Sequence, residues 1–157
     1  MNAFKTCLIA LGLLAVGGVT PAPAQQFKHF FGDWSGTGAI TLRDGVRERL
    51  RCRGRFTGGG NVLNLGLRCA SDSYNFELQS DIKADGSNIS GSWNELTHNV
   101  YGSISGRVTG SRIDASAVAP GFTAAISLSA RGNSQQVSIR APGSEISDVA
   151  ITLSRGR

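Results

Sequence analysis

The stretch Val46–Ser71, VRERLRCRGRFTGGGNVLNLGLRCAS, decides the fold. In its first half, Arg47, Arg49, Arg51, Arg53 and Arg55 take one parity. Val46, Leu50, Cys52 and Phe56 take the other, together with Glu48 and Gly54. Side chains in a strand point alternately to opposite faces, so this is a strand with a basic face and an apolar face. Reading Gly60-Asn61 as a two-residue hairpin loop sets Cys52 opposite Cys69 and Phe56 opposite Leu65. Leu63, Leu65, Leu67 and Cys69 then share the apolar face. Directly opposed cysteines are close enough for a disulfide. Closing a loop of this length stabilises by roughly 3 kcal/mol in the chain-entropy account.

The same alternation continues outward in both directions. Upstream, Trp34–Leu42 puts Trp34, Ile40 and Leu42 on one parity, and Arg43-Asp44-Gly45 turns it into the arginine strand with Gly38 facing Leu50. Downstream come Tyr74–Lys83, Ile89–Glu95, Val100–Thr109, Arg112–Ala119, Phe122–Ala130, Ser134–Arg140 and Ser147–Arg155, separated by short Gly-, Asp- and Asn-rich turns. Short turns force antiparallel neighbours. The expected fold is all-β: an antiparallel up-and-down meander of about ten strands closing into a barrel, with a flattened β-sandwich as second choice.

Residues 1–24 are set apart from this domain. Lys5 precedes an apolar run, Leu8–Val19, and Ala22-Pro23-Ala24 fits the small-x-small rule for cleavage after Ala24. The run is shorter than the roughly 20 residues of a spanning helix. A signal peptide, lost with Cys7, is the expectation, giving a periplasmic or secreted protein that is not transmembrane after cleavage. Residues 25–33 form a lead-in whose Phe27, Phe30 and Phe31 plug one barrel end, and 34–155 form the single barrel domain. Cys52 and Cys69 then remain as a pair, as expected of an exported chain. With His29 and His98 as its only histidines, the chain offers no metal set, and no cofactor is expected.

Gly32-Asp33-Trp34 resembles the Gly-x-Trp signature of the calycins, which comprise lipocalins, avidins and fatty-acid-binding proteins. In lipocalins that Trp plugs the barrel base beneath an Arg near the end of the last strand. The resemblance implies that Arg155 packs on Trp34. The second lipocalin motif, the C-terminal helix and the helical lid of fatty-acid-binding proteins are not part of the likeness. The chain as a whole resembles small uncharacterised exported proteins of Proteobacteria, which carries no activity with it.

Two faces offer chemistry. Outside, Arg47, Arg49, Arg51, Arg53 and Arg55 repeat about every 6.7 Å, twice the strand rise, with Arg68 on the next strand. Ser35, Thr37, Ala39 and Thr41 lie opposite, and no carboxylate stands directly across; Glu77 faces Arg68 one strand further on. A solvated outer face explains this row without a partner. The other reading is docking of an anionic polymer or phosphorylated lipid headgroup. Nucleic acid is not expected, because no aromatics are interleaved for stacking. Inside, Trp34, Phe56, Tyr74, Phe76 and Trp93 alternate with small residues, and Trp93 faces Gly102. This is either a filled core or a small apolar cavity with Glu48, Ser80 and Glu95 at its mouth or lining.

Enzyme readings find little support. There is no Gly-x-Ser-x-Gly elbow. His98, beside Asn99, reads as a solvated loop residue, and nothing sets a glycosidase spacing between Glu48 and Glu95. An outer-membrane barrel would crowd five arginines into its lumen. The reading that remains is an exported non-catalytic β-barrel binding a small apolar or amphipathic ligand. The alternative is an interaction module docking anionic envelope or extracellular polymers through the arginine face.

Overall fold

Alternation with period two and nine short turns leave one economical way to bury the apolar face: the sheet curls until its first and last strands pair. The computed structural model, which describes residues 25–156, has this form. Its strands are β1 (Gly32–Leu42), β2 (Arg47–Gly59), β3 (Val62–Ala70), β4 (Asn75–Asp85), β5 (Asn88–Glu95), β6 (Val100–Thr109), β7 (Arg112–Ala119), β8 (Phe122–Arg131), β9 (Ser134–Arg140) and β10 (Ile146–Arg155). Each pairs antiparallel with the next, and β10 pairs with β1 to close the barrel. The signal-peptide reading falls on residues 1–24, outside the described residues. No helix among the described residues is long and apolar enough to cross a membrane.

The registers read from the turns are those observed: Gly38 opposite Leu50, Cys52 opposite Cys69, Arg68 opposite Glu77 and Trp93 opposite Gly102. Cys52 and Cys69 form a disulfide, with Cα atoms 4.2 Å apart and both residues buried. One expectation needs correction. The first strand begins at Gly32, two residues before the expected Trp34, so Asp33 is part of the ladder and stands directly across from Arg55. The arginine row therefore does meet a carboxylate, and the Arg55 Nε–Asp33 Oδ1 distance is 2.7 Å.

One end of the barrel is sealed. Phe27 and Phe30 are fully buried beneath the chain's lead-in. The Phe30 carbonyl accepts hydrogen bonds from Trp34 Nε1 (2.9 Å) and Gln135 Nε2 (3.0 Å), tying the lead-in to β1 and β9. The Arg155 guanidinium lies 4.3 Å from the Trp34 ring centroid and donates to the carbonyls of Phe31 and His29. A cation over an indole contributes about 0.5–2 kcal/mol. The pair also carries the first and last strands, so it sits on the seam that closes the barrel.

Tight curling brings neighbouring strands too close for some inward side chains. A Cβ built at Gly102 would lie 1.9 Å from the Val118 carbonyl and 3.0 Å from Trp93 Nε1; one at Gly36 would lie 2.0 Å from the Thr152 carbonyl. Glycine at such points lets the sheet bend inward. Trp93 fills the space over Gly102, so large and small residues alternate for a geometric reason.

The disulfide bridges adjacent strands of the most regular hairpin, and its removal should loosen that hairpin without changing the register. Replacing both cysteines with serine is expected to lower unfolding free energy by about 2–4 kcal/mol. Urea denaturation of the oxidised protein against the double variant measures this. Equal midpoints would show that the ladder alone holds the hairpin.

Candidate functional site

The inward side chains of β7 and β8 include three alanines among larger ones, Ile113, Phe122, Ile126 and Leu128. Ala115, Ala117 and Ala124 face a space bounded elsewhere by Phe56, Leu63 and Trp93, and together they leave an interior cavity of about 110 Å³. Its wall is apolar. The two polar groups nearest it are committed to backbone: Ser80 Oγ donates to the Ser92 carbonyl (2.8 Å), and Trp93 Nε1 to the Ser103 carbonyl (3.1 Å).

A second space of about 230 Å³ lies at the end opposite the plug, where the turns at 71–74, 96–99 and 141–145 stand around the rim. It shares Leu78, Trp93, Phe122 and Ile139 with the inner cavity, so the two are stacked along the barrel interior. Trp93 and Phe122 form a tilted pair between them, ring centroids 5.6 Å apart at 48°. Polarity rises toward the mouth, where Tyr74, Glu95, His98 and Glu145 join the lining.

Glu95 organises that rim. Its carboxylate accepts the backbone N–H groups of Glu77 (2.9 Å), Thr97 (3.0 Å) and His98 (2.7 Å), and lies 2.7 Å from His98 Nδ1. Burial pushes its pKa up, but the hydrogen bonds outweigh burial and hold it below the ordinary 4.5. An ionised carboxylate can only accept, so in this contact His98 Nδ1 is the donor. Tyr74 stacks on the His98 ring, centroids 4.9 Å apart and planes 14° from parallel. Burial, then the charges of Glu145 and Glu95, push the Tyr74 hydroxyl up to about 12. It is a neutral donor at any physiological pH.

The sequence candidates therefore separate. Phe56, Ser80 and Trp93 line the inner cavity, and Tyr74, Phe76, Trp93 and Glu95 line the mouth. Trp34 lines neither space because it belongs to the plug. Glu48 also stands outside both. It accepts Ser71 Oγ (2.5 Å), Ser73 N (3.2 Å) and Ser73 Oγ, which binds it to the 71–74 turn and lowers its pKa. The arginines at 47, 49, 51, 53, 55 and 68 all point outward and are exposed, with Arg68 Nη2 2.8 Å from Glu77.

His98 is the residue that sequence reasoning undervalued. It looked like a lone loop histidine, yet Glu95 three residues earlier anchors it and Tyr74 covers it. Asn99, with φ of 55°, makes the left-handed step that this tight turn requires. Gln135 was missed too. Its inward parity with Val137 was visible, but its partner, the Phe30 carbonyl, lies 105 residues away. Among the described residues, no group of three or more His, Cys, Asp or Glu side chains is placed to hold a metal.

No family model and no curated protein matches the chain. Solved structures do resemble it. Rv2717c from M. tuberculosis superposes with a TM-score of 0.64 at 17% identity, covering 87% of this chain and 100% of the other. The S-type phycobiliprotein lyase CPES from Guillardia theta gives 0.58 at 8% identity, covering 83% and 90%. The likeness is one of fold over the whole barrel, compatible with the calycin resemblance.

The Glu95 clasp makes the rim sensitive to acid. Because folding lowers the carboxyl's pKa, its stabilisation is present above the unfolded value near 4.5 and fades as pH falls through the lower folded value. Glu95→Gln is expected to be less stable than wild type at neutral pH and to lose less between pH about 5 and about 3. Thermal unfolding across that range checks it. Parallel curves would show that Glu95 does not contribute to the acid response.

Proposed function

We propose that the chain is an exported, non-catalytic β-barrel that binds a small apolar or amphipathic molecule end-on. The apolar part occupies the interior, and the polar head stays at the mouth beside Tyr74, His98 and Glu145. One observation carries this reading: an apolar interior space lies stacked beneath a more polar mouth at the unplugged end, the two sharing an aromatic wall. Spaces of this kind, mostly apolar with a few convergent polar groups, are the usual form of ligand sites.

The leader-like residues 1–24 support export, and the disulfide is compatible with an oxidising compartment. The fold leaves catalysis open, since a phycobiliprotein lyase is built on a similar barrel. The non-catalytic reading rests on the side chains. Ser80 is committed to a backbone carbonyl inside the barrel, and Glu95 is committed to three backbone N–H groups and His98. Ser80 has no base beside it to activate it as a nucleophile.

The mouth also constrains the head group. Its lining includes Glu95, Glu145 and His98 but neither Lys nor Arg. A carboxylate-headed ligand would meet like charge there, whereas a hydroxyl or amine would find acceptors. Three naphthalenes of one shape separate these cases: 2-naphthylmethanol, 2-naphthylmethylamine and 2-naphthoate, titrated calorimetrically at neutral pH. The alcohol and amine should bind, with the carboxylate weaker by about tenfold, a difference of about 1.4 kcal/mol. Ala117→Leu, which adds bulk to the inner cavity, should weaken all three. Absence of binding by every member would overturn the cavity reading. Equal binding of the carboxylate would overturn the head-group preference alone.

A further inference from the structure

The arginine row is independent of the cavity. Arg55 is paired with Asp33 and Arg68 with Glu77, at 2.7 and 2.8 Å. Arg47, Arg49, Arg51 and Arg53 have no carboxylate partner among the described residues. Of the chain's 16 Lys and Arg, Lys5 lies in the leader and four stand in this row; the remaining 11 equal the 11 Asp and Glu in number. The four unpaired arginines thus put four positive charges on one face of one strand, as many as the formal net charge of residues 25–157.

That arrangement is unfavourable in the free protein. Neighbours about 6.7 Å apart repel by about 0.6 kcal/mol even at the dielectric of water. Arg53 also stands directly opposite Arg68, a like-charge cross-strand pair. The flanking positions do nothing to screen the row: Ala39 lies opposite Arg49, Thr37 and Ala70 flank Arg51, and Ser35 faces Arg53. At its Arg53 end the row runs into a groove of about 730 Å³ on the outer wall. Arg53, Arg55 and Arg68 line it around Gly66, together with their partners Asp33 and Glu77, and a Cβ at Gly66 would stand 3.8 Å from its nearest neighbour, the Arg55 carbonyl.

We infer that this face docks an extended, phosphate-bearing linear polymer laid along β2, with one phosphate seated over Gly66 between Arg53, Arg55 and Arg68. Guanidinium groups bind phosphate oxygens in pairs, and a repeating row matches a repeating anion. A bilayer fits this face less well. The row is one strand wide on a convex wall, and the exposed large apolar side chains Val46, Leu96, Val100, Tyr101 and Val118 lie at the mouth end instead. Stacking of bases is also unsupported, since the row has no aromatic neighbours on its face.

Linear inorganic polyphosphate is the probe, titrated into disulfide-intact protein, with orthophosphate and phosphatidylglycerol vesicles as comparisons. Polyphosphate should bind, weaken as salt rises, and outcompete orthophosphate at equal phosphate concentration. Arg51→Gln should weaken it at least about threefold, as expected for one exposed charge contact. Gly66→Leu, which fills the groove without meeting backbone, should also weaken it. Arg107→Gln makes the same charge change on β6, where Arg107 donates to Ser87 Oγ, and should leave binding unchanged. Equal losses in Arg51→Gln and Arg107→Gln would overturn the site in favour of diffuse attraction to net charge. Binding to vesicles but not to polyphosphate would overturn it in favour of a membrane surface. Binding to neither would leave the row as a solvated face.

Discussion

The pairing of β1 with β10 is the constraint on which the rest of the structure depends. Ten twisted strands with one apolar face either expose two edges or close, and closure removes both edges. The seam is reinforced at the plugged end, where Trp34 opposes Arg155 in the ladder and their side chains stack. The lead-in completes the seal: Phe27 and Phe30 enter the barrel and the Phe30 carbonyl satisfies donors from two strands. One short segment therefore blocks one end and leaves the other to act as the mouth.

Closure also sets where space remains. Inward glycines sit where neighbouring backbones approach, and aromatic residues cover them, as Trp93 does over Gly102. The alanines of β7 and β8 have bulky residues across the barrel, but not bulky enough to fill the interior. At the mouth, Glu95 holds a turn by its backbone and thereby orients His98.

Charge is partitioned as sharply as polarity. Carboxylates join the mouth lining, and the unpaired arginines stand on the outer wall of β2. The two surfaces present different chemistry, and alternation along the strands keeps them separate. In β2, Leu50, Cys52 and Phe56 face the core while Arg49, Arg51, Arg53 and Arg55 face solvent. A slip of one residue in register would exchange the two sets. The disulfide between Cys52 and Cys69 joins a directly opposed pair in the register that keeps the arginines out.

Local information was enough for the strands, their registers and the disulfide, because each depends on a period of two and a turn of a few residues. Cys52 opposite Cys69 follows from Gly60-Asn61 alone, and Trp93 opposite Gly102 follows from the 96–99 turn. Asp33 escaped only through a strand boundary, where propensity is weakest. The site was less legible. Parity showed that Phe56, Tyr74, Phe76, Ser80, Trp93 and Glu95 face inward, but it does not say at what height along the barrel. Height decided that Trp34 belongs to the plug and Glu48 to a turn, and that the mouth lies beside Tyr74, His98 and Glu145. Sequence by itself determined which face of each strand is buried, since alternation is a property of neighbouring residues. Only the tertiary structure decided which end is open and what gathers there, because those contacts arise from closure and join residues far apart in the chain.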